Sequence, residues 1–155
     1  METKTNHGFM VEAGKDRFHE EANFLGSHFK CKVSTNDSRE GMSVFDLTLI
    51  EKGGPPYHFH YTQDEWCYIL EGEIVFKIGD DIFTAKPGDS VFAPRQIPHT
   101  FTKTSENLAR MLVIYQPAGT MEEFYFQADE VPNGTLRDFE KLYRQHGMEI
   151  VGPPL

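Results

Sequence analysis

Four residues of metal-binding types, His58, His60, Glu65 and His99, stand at spacings that suggest a shared site. Side chains on a strand alternate between its faces, so His58 and His60 project to the same face if their segment is extended. Glu65 follows a short connection, at the head of a predicted strand. Three imidazoles and one carboxylate that converge inside a barrel would hold one divalent transition metal per chain, and Fe, Mn, Ni, Zn, Co and Cu all suit such a site.

The composition limits the classes of partner. The chain has 155 residues, which suits one domain, and its 15 basic and 24 acidic residues give a formal net charge of −9. That charge repels phosphate, so neither nucleic acid nor an anionic membrane is expected as a partner. No apolar run approaches the length of a membrane span, and the first 16 residues lack the apolar core of a signal peptide. Two cysteines build no disulfide framework, so a cytoplasmic location is expected.

The elements that must position these residues are mostly strands. Short alternating segments bounded by turn residues predict a sandwich or barrel. The predicted strands cover residues 27–33, 43–51, 65–70, 73–78, 82–85, 90–93, 99–104 and 109–116. Two helices follow, one at 120–128 that opens on a capping box from Thr120 to Glu123, and one that runs from Thr135 to Gly147. We therefore expect a single domain over 1–155, with a core barrel at about 43–116, N-terminal strands within 8–34 and a C-terminal helical cover at 120–147.

The segment around the first three candidate ligands resembles the first motif of the cupin superfamily. That motif is a glycine, five residues, His-X-His, three or four residues, Glu, six residues and Gly. His58, His60, Glu65 and Gly72 match it, whereas Gly53 lies one residue closer to His58 than the motif asks.

The segment around His99 resembles the second cupin motif, which is Gly, five residues, Pro-X-Gly, two residues, His, three residues and Asn. Gly88, Pro94 and His99 match it. Gln96 replaces the second glycine, so the turn must either avoid a positive φ or adopt it under strain. Lys103 replaces the terminal Asn. We expect its side chain to reach solvent at the strand end; the alternative is an anchor for an anionic substrate group.

The resemblance implies an all-β fold, a cupin jelly-roll β-barrel with short C-terminal helices, in which the four residues are the metal ligands. Within the superfamily the chain is most similar to single-domain bacterial cupins related to flavonol (quercetin-type) dioxygenases. The segments that carry this narrower similarity are Leu-Glu-Gly-Glu at 70–73, Pro-Arg-Gln-Ile-Pro-His at 94–99 and Val-Gly-Pro-Pro-Leu at 151–155.

The function expected from this resemblance is a metal-dependent dioxygenase, an oxidoreductase that activates a small enol or keto substrate. Glu65 would double as the catalytic proton acceptor. The predicted substrate pocket consists of Phe45, Cys67, Phe92 and Phe101, although Cys67 also fits a purely packing role. The alternatives are a redox-neutral metal-dependent isomerase or lyase that acts on a keto or sugar acid, and a non-catalytic small-molecule binder.

Three further segments have alternative interpretations. Trp66, Tyr68 and Leu70 face away from Glu65 yet are apolar, so either the N-terminal strands or a second subunit must cover them, and we expect a homodimer. The helix at 120–128 is expected to pack on the outer sheet; the alternative is a lid over the barrel mouth. Tyr61, Gln63 and Asp64, between the candidate ligands, are expected to be solvated loop residues; the alternative is that one of them contacts substrate.

Overall fold

The structure is a computed structural model that describes residues 7–131 and 133–155. Within these ranges the chain forms eleven strands and two helices. In chain order they are β1 (Glu21–Phe24), β2 (Ser27–Val33), β3 (Ser43–Leu49), β4 (Tyr57–His60), β5 (Asp64–Glu71), β6 (Ile74–Ile78), β7 (Asp81–Ala85), β8 (Ser90–Ala93), β9 (His99–Thr102), β10 (Ala109–Gln116), α1 (Met121–Asp129), α2 (Leu136–Gln145) and β11 (Met148–Gly152).

The strands form two antiparallel sheets that face each other as a jelly roll. The first sheet has the order β1-β2-β3-β10-β5-β8 and the second the order β11-β4-β9-β6-β7. Strand β10 shows why the core lies between them, because Met111, Val113 and Tyr115 are buried on one face while the intervening residues are partly exposed. Successive side chains of a strand point to opposite faces of its sheet, so this alternation places one face of β10 against the core. The expected all-β fold with two short C-terminal helices is confirmed.

The eight predicted strands are present with small changes at their ends. Extended backbone at β4 was only the condition under which His58 and His60 share a face, and β1 and β11 were not predicted. β1 has four residues, and β11 directly follows a helix, so neither has a clear alternating pattern of its own. β11 pairs with β4 and sets Ile150 opposite His58. The N-terminal strands lie at 21–33, and residues 8–20 contain neither a strand nor a helix.

Both C-terminal helices are observed, but only one has the capping box. At α2, the Thr135 side chain accepts a hydrogen bond from the Asp138 backbone N–H, and the Asp138 carboxylate accepts one in return from the Thr135 backbone. The capping box predicted at Thr120 is wrong, because its hydroxyl instead pairs with Nδ1 of His146 at the end of α2, at 2.6 Å. No helix in the described ranges has the length and apolar content needed to cross a bilayer.

Helix α1 lies on the inner side of the first sheet, so the expectation that it packs on the outer sheet is wrong. Its Tyr125 ring stacks on Phe29 at 3.8 Å between ring centroids, and Phe124 meets Phe24 edge to face at 5.6 Å. Strands β1 and β2 present these two aromatic rings inward, whereas Lys30 and its neighbours occupy the outer face. The apolar face of α1 therefore finds its partners at the mouth of the barrel.

The two motif glycines at turns provide a test of why the turns need glycine. Both have positive φ, +71° at Gly72 and +93° at Gly88. A Cβ at Gly72 would lie 2.6 Å from the Leu108 carbonyl oxygen, whereas a Cβ at Gly88 would meet nothing within 4 Å. We predict that Gly88→Ala lowers the free energy of unfolding by about 1 kcal/mol, the cost of left-handed backbone.

Gly72→Ala should cost about 2 kcal/mol more than Gly88→Ala, because it adds a steric clash with the backbone that precedes β10. Urea unfolding at 25 °C measures both variants. Equal losses in the two variants would show that the close approach of Gly72 to Leu108 is unimportant.

Candidate metal centre

The four predicted ligands come from three strands in two sheets and meet at one point. His58 and His60 lie on β4, His99 lies on β9 directly opposite His58, and Glu65 lies on β5 of the facing sheet. All four side chains are buried. One nitrogen or oxygen atom from each lies within 4.8 Å of the others, so the predicted cluster is present and is able to hold a metal ion.

The ring orientations of His58 and His99 are fixed by backbone carbonyls. Nδ1 of His58 lies 2.7 Å from the Pro56 oxygen, and Nδ1 of His99 lies 3.2 Å from the Ile97 oxygen. A carbonyl oxygen only accepts, so each ring must carry its proton on Nδ1. The Nε2 atom of each ring is then left to face the centre of the cluster, as is usual for metal-binding histidines.

His60 fits a metal ligand even more closely. Its Nδ1 donates to the side-chain oxygen of Gln63 at 2.9 Å, while its buried Nε2 has no hydrogen-bond partner in the described chain. That Nε2 lies 3.4 Å from Oε2 of Glu65. A buried polar atom without a partner costs about 1–3 kcal/mol, and a metal ion at the cluster would remove that cost. The donor set therefore fits a divalent transition metal.

Glu65 and His99 form a buried pair, with Oε2 of Glu65 2.8 Å from Nε2 of His99. Burial alone would raise the pKa of Glu65, but His99 and His60 lower it well below its usual range. Burial alone would lower the pKa of His99, yet the Glu65 charge and hydrogen bond raise it above 6.5. The pKa of His58 is lowered by burial and by its histidine neighbours, so that ring is neutral at physiological pH.

A cavity of about 40 Å³ lies beside the cluster, between the barrel and the two C-terminal helices. Its wall is mainly aromatic and contains no lysine or arginine. The lining residues are Phe24, Leu25, Ser27, Phe29, Gly54, Pro55, His58, Glu65, Phe101, Tyr115, Met121, Phe124, Tyr125, Tyr143 and Met148. Helix α1 contributes three of these lining residues, Met121, Phe124 and Tyr125, so this helix closes the barrel mouth.

Of the four predicted pocket residues, only Phe101 lines this cavity. Phe45 lies one layer behind, with its ring centroid 5.1 Å from that of Tyr125. Cys67 is buried with Sγ 3.9 Å from Oε1 of Glu65, and burial raises the pKa of its thiol, so it is a protonated packing residue. The prediction for Phe92 is wrong, because this side chain is 56% exposed: Val91 and Ala93 take the inward positions of β8.

The two departures from the second motif are both accommodated by the backbone. Gln96 adopts a φ of +67°, and its backbone N–H donates to the His60 oxygen at 2.7 Å. Lys103 is fully buried and its Nζ donates to the Ser105 oxygen at 2.7 Å, so the expectation that it reaches solvent is wrong. An antiparallel backbone bridge between Lys103 and Gly53 joins the end of β9 to the loop that precedes β4, and the lysine side chain is buried there.

Sequence reasoning missed four residues of the site. Gln63 is buried, contrary to the expectation of a solvated loop, and it orients His60. Tyr115 and Tyr125 meet through a short hydrogen bond between their hydroxyls, and the Tyr143 ring meets His58 edge to face at 5.3 Å. The signals were the alternation along β10, which turns Tyr115 inward, and the apolar helix faces that carry the other two tyrosines.

The profile of the cupin domain family matches residues 45–115, which include all four clustered ligands. This match covers 71 of the 155 residues and supports the expected cupin fold, with the four predicted ligands at the cupin motif positions.

Similar proteins agree with this assignment. An uncharacterized protein, MJ1618 of Methanocaldococcus jannaschii, is 30% identical over 66 residues, which are 43% of this chain and 53% of that protein; the chain therefore spans about half the length of this curated relative. The polyketide cyclase RemF from Streptomyces resistomycificus has a TM-score of 0.59 at 23% identity and matches over 71% of this chain and 80% of its own. The nucleoside dehydratase Pac13 from Streptomyces has a TM-score of 0.59 at 14% identity, over 75% and 88%. Both structures share the cupin fold.

The Glu65–His99 pair predicts opposite pH effects on the metal-free and metal-loaded protein. Because the folded pKa of His99 is raised, its contribution to stability is present below pH 6.5 and is lost as the pH rises through that pKa. Metal binding requires the proton to leave His99, so affinity should rise with pH over the same window, by up to about tenfold per unit.

Thermal melts between pH 6.5 and 8 test this prediction. We expect the Tm with a chelator to fall with pH, and the Tm increase on addition of Zn²⁺ to grow. In Glu65→Gln the pKa of His99 should drop, which moves both trends to lower pH. A zinc effect that is constant across the window would contradict the prediction.

Proposed function

We propose that this cupin is a metal-dependent oxygenase for an uncharged substrate that carries adjacent enol and carbonyl oxygens. The observation that carries the proposal is the aromatic cavity, which includes His58 and Glu65 in its wall and contains no lysine or arginine. Such a wall favours a planar, mostly apolar molecule whose oxygens face the metal centre, because no lysine or arginine lies in the wall to bind a further charged group. The similarity of the motif segments to flavonol dioxygenase-like cupins supports the same reaction class.

His58, His60, Glu65 and His99 would hold the metal, which supplies a Lewis acid for the substrate oxygens when bound. Oε2 of Glu65 faces His60 and His99, so Oε1 is the oxygen left to take a proton. The low pKa of Glu65 keeps this carboxylate ionised at neutral pH but makes it a weak base, so it suits an enol whose own pKa a bound metal would lower. We propose that Glu65 accepts the enol proton while the aromatic walls hold the substrate plane and exclude water.

The size of the cavity places a condition on this reaction. A volume of about 40 Å³ holds a few water molecules, whereas pockets for larger ligands measure about 300–1,000 Å³. The two short helices contribute the part of the wall that does not come from strands or loops, with three residues from α1 and Tyr143 from α2. We therefore propose that α1 moves outward to admit substrate and returns to enclose it.

Oxygen uptake on a panel of flavonols and small diketones tests the proposed reaction. The metal-loaded protein should consume oxygen with at least one member of the panel, and turnover should stop under nitrogen. Glu65→Gln should lower the rate by about 100-fold or more, because it removes both a ligand and the proton acceptor. The control is Ile82→Leu, on the exposed face of β7 and outside the cavity wall, which should keep the full rate. Turnover without oxygen would instead establish the redox-neutral isomerase or lyase.

We also propose a homodimer through the outer face of the first sheet. Trp66 and Phe92 are cross-strand neighbours there, 36% and 56% exposed, and the Tyr68 ring lies 5.8 Å from Trp66. Strands β1 and β2 extend the same sheet at its other edge, so they leave these rings uncovered. A second copy of the chain would bury these rings, and a contiguous exposed apolar patch of this kind is typical of a protein interface.

Light scattering after size exclusion tests the dimer. The wild type should elute as a dimer, and Trp66→Glu should shift it to a monomer, because it places a charge in the buried interface. Ile82→Glu is the matched control, since Ile82 is 60% exposed on β7 of the other sheet and should leave the dimer intact. A monomeric wild type would contradict the proposal.

A further inference from the structure

Gln63 is a buried amide in a connection that is otherwise exposed. It lies between β4 and β5, only 4% exposed, while Tyr61 two residues earlier is 47% exposed. A buried amide must satisfy both its donors and its acceptor to avoid a desolvation cost. The partners that do so identify what this side chain joins.

The amide of Gln63 bonds in two directions. Its Nε2 donates to the Pro117 oxygen at 3.0 Å and to the Ala118 oxygen at 2.8 Å, which uses both N–H groups. Its Oε1 lies 2.9 Å from Nδ1 of His60 and accepts from it. The donors settle which end of the amide faces which partner, because the two carbonyls only accept. The His60 ring is thereby held with its unpartnered Nε2 toward the other ligands.

The segment that Gln63 holds leads into the helix that we propose to move, α1. Pro117 and Ala118 lead directly into α1, which begins at Met121 and supplies Phe124 and Tyr125 to the cavity. Gly119 completes the contact, since a Cβ at this position would lie 2.4 Å from Nε2 of Gln63. The absence of a side chain at Gly119 therefore lets the backbone close on the amide.

We infer that Gln63 is a positioning residue that couples the metal centre to the closure of α1. When α1 is closed, the two carbonyls orient the amide and the amide orients His60 for binding. When α1 moves outward, these carbonyls leave, and His60 loses the constraint on its ring. Linkage is reciprocal, so a metal held by an oriented His60 must favour closed α1 by the same factor. This inference rests on the proposed metal centre and on the proposed movement of α1.

Among the described residues, the other hydrogen bonds that hold α1 do not involve a candidate ligand. Glu122 accepts from Thr35, and the end of α2 holds α1 through His146, whose Nε2 pairs with Oε1 of Gln127 at 2.6 Å. These contacts favour the closed helix whether or not a metal is present. Gln127 therefore offers a matched control, a glutamine that holds the same helix without reaching the metal centre.

Hydrogen exchange of peptides covering 117–128, with a chelator and with saturating Zn²⁺, tests the coupling. In the wild type, zinc should slow exchange by about tenfold. Gln63→Met keeps the length of the side chain but makes none of the three hydrogen bonds. It should abolish this zinc-dependent slowing and weaken zinc binding by about 10–100-fold, as measured by competition with a chelator. Gln127→Ala should raise exchange in both states and leave the zinc-dependent difference in place.

Gly119→Ala provides a second variant if Gln63→Met fails to fold, because it pushes on the same amide from the α1 side and should abolish the slowing in the same way. If either folded variant still slows exchange at saturating zinc as the wild type does, the coupling is wrong. Zinc binding to the wild type without slowing would overturn the coupling alone. No zinc binding to the wild type would overturn the metal centre and the coupling with it.

Discussion

The convergence of three imidazoles and a carboxylate in a buried space is the constraint on which the rest of this structure depends. Four polar side chains within 4.8 Å of one another, removed from water, are costly unless each remaining nitrogen and oxygen finds a partner. Backbone carbonyls of Pro56 and Ile97 and the amide of Gln63 meet this demand on the outer side of the rings. On the inner side a hydrogen bond joins Glu65 to His99, and Nε2 of His60 has no partner among the described residues, so a cation at the centre would supply one.

The aromatic wall and the helices follow from the same constraint. A polar cluster at the mouth of a barrel needs an apolar cover to exclude water, and the cover consists of rings from β1, β2, α1 and α2. The Tyr115–Tyr125 contact places two hydroxyls inside this cover, where burial raises the pKa of both and keeps them neutral. The result is a site whose charge is confined to Glu65 and to its partner His99, in otherwise neutral surroundings.

The ligands and the fold were predictable from sequence because they depend on local rules. Period-two alternation relates His58 to His60, and the motif spacing relates both to Glu65 and His99. The role of Gln63 was not predictable, since the carbonyls that bury it lie 54 and 55 residues away. The exposure of Phe92 depends on the register of β8 against β5, and the side on which α1 packs depends on the inward rings of an unpredicted strand. Such long-range packing has no signature in the segments themselves.

The distribution of the ligands between the two sheets has a mechanical consequence. The three histidines belong to one sheet and Glu65 to the other, so a metal held by all four would fasten the halves of the sandwich together. Like a cross-link, it would also close a chain loop from residue 58 to residue 99, which restricts the unfolded chain. Catalytic competence and the lifetime of the folded protein would then depend on the same supply of metal.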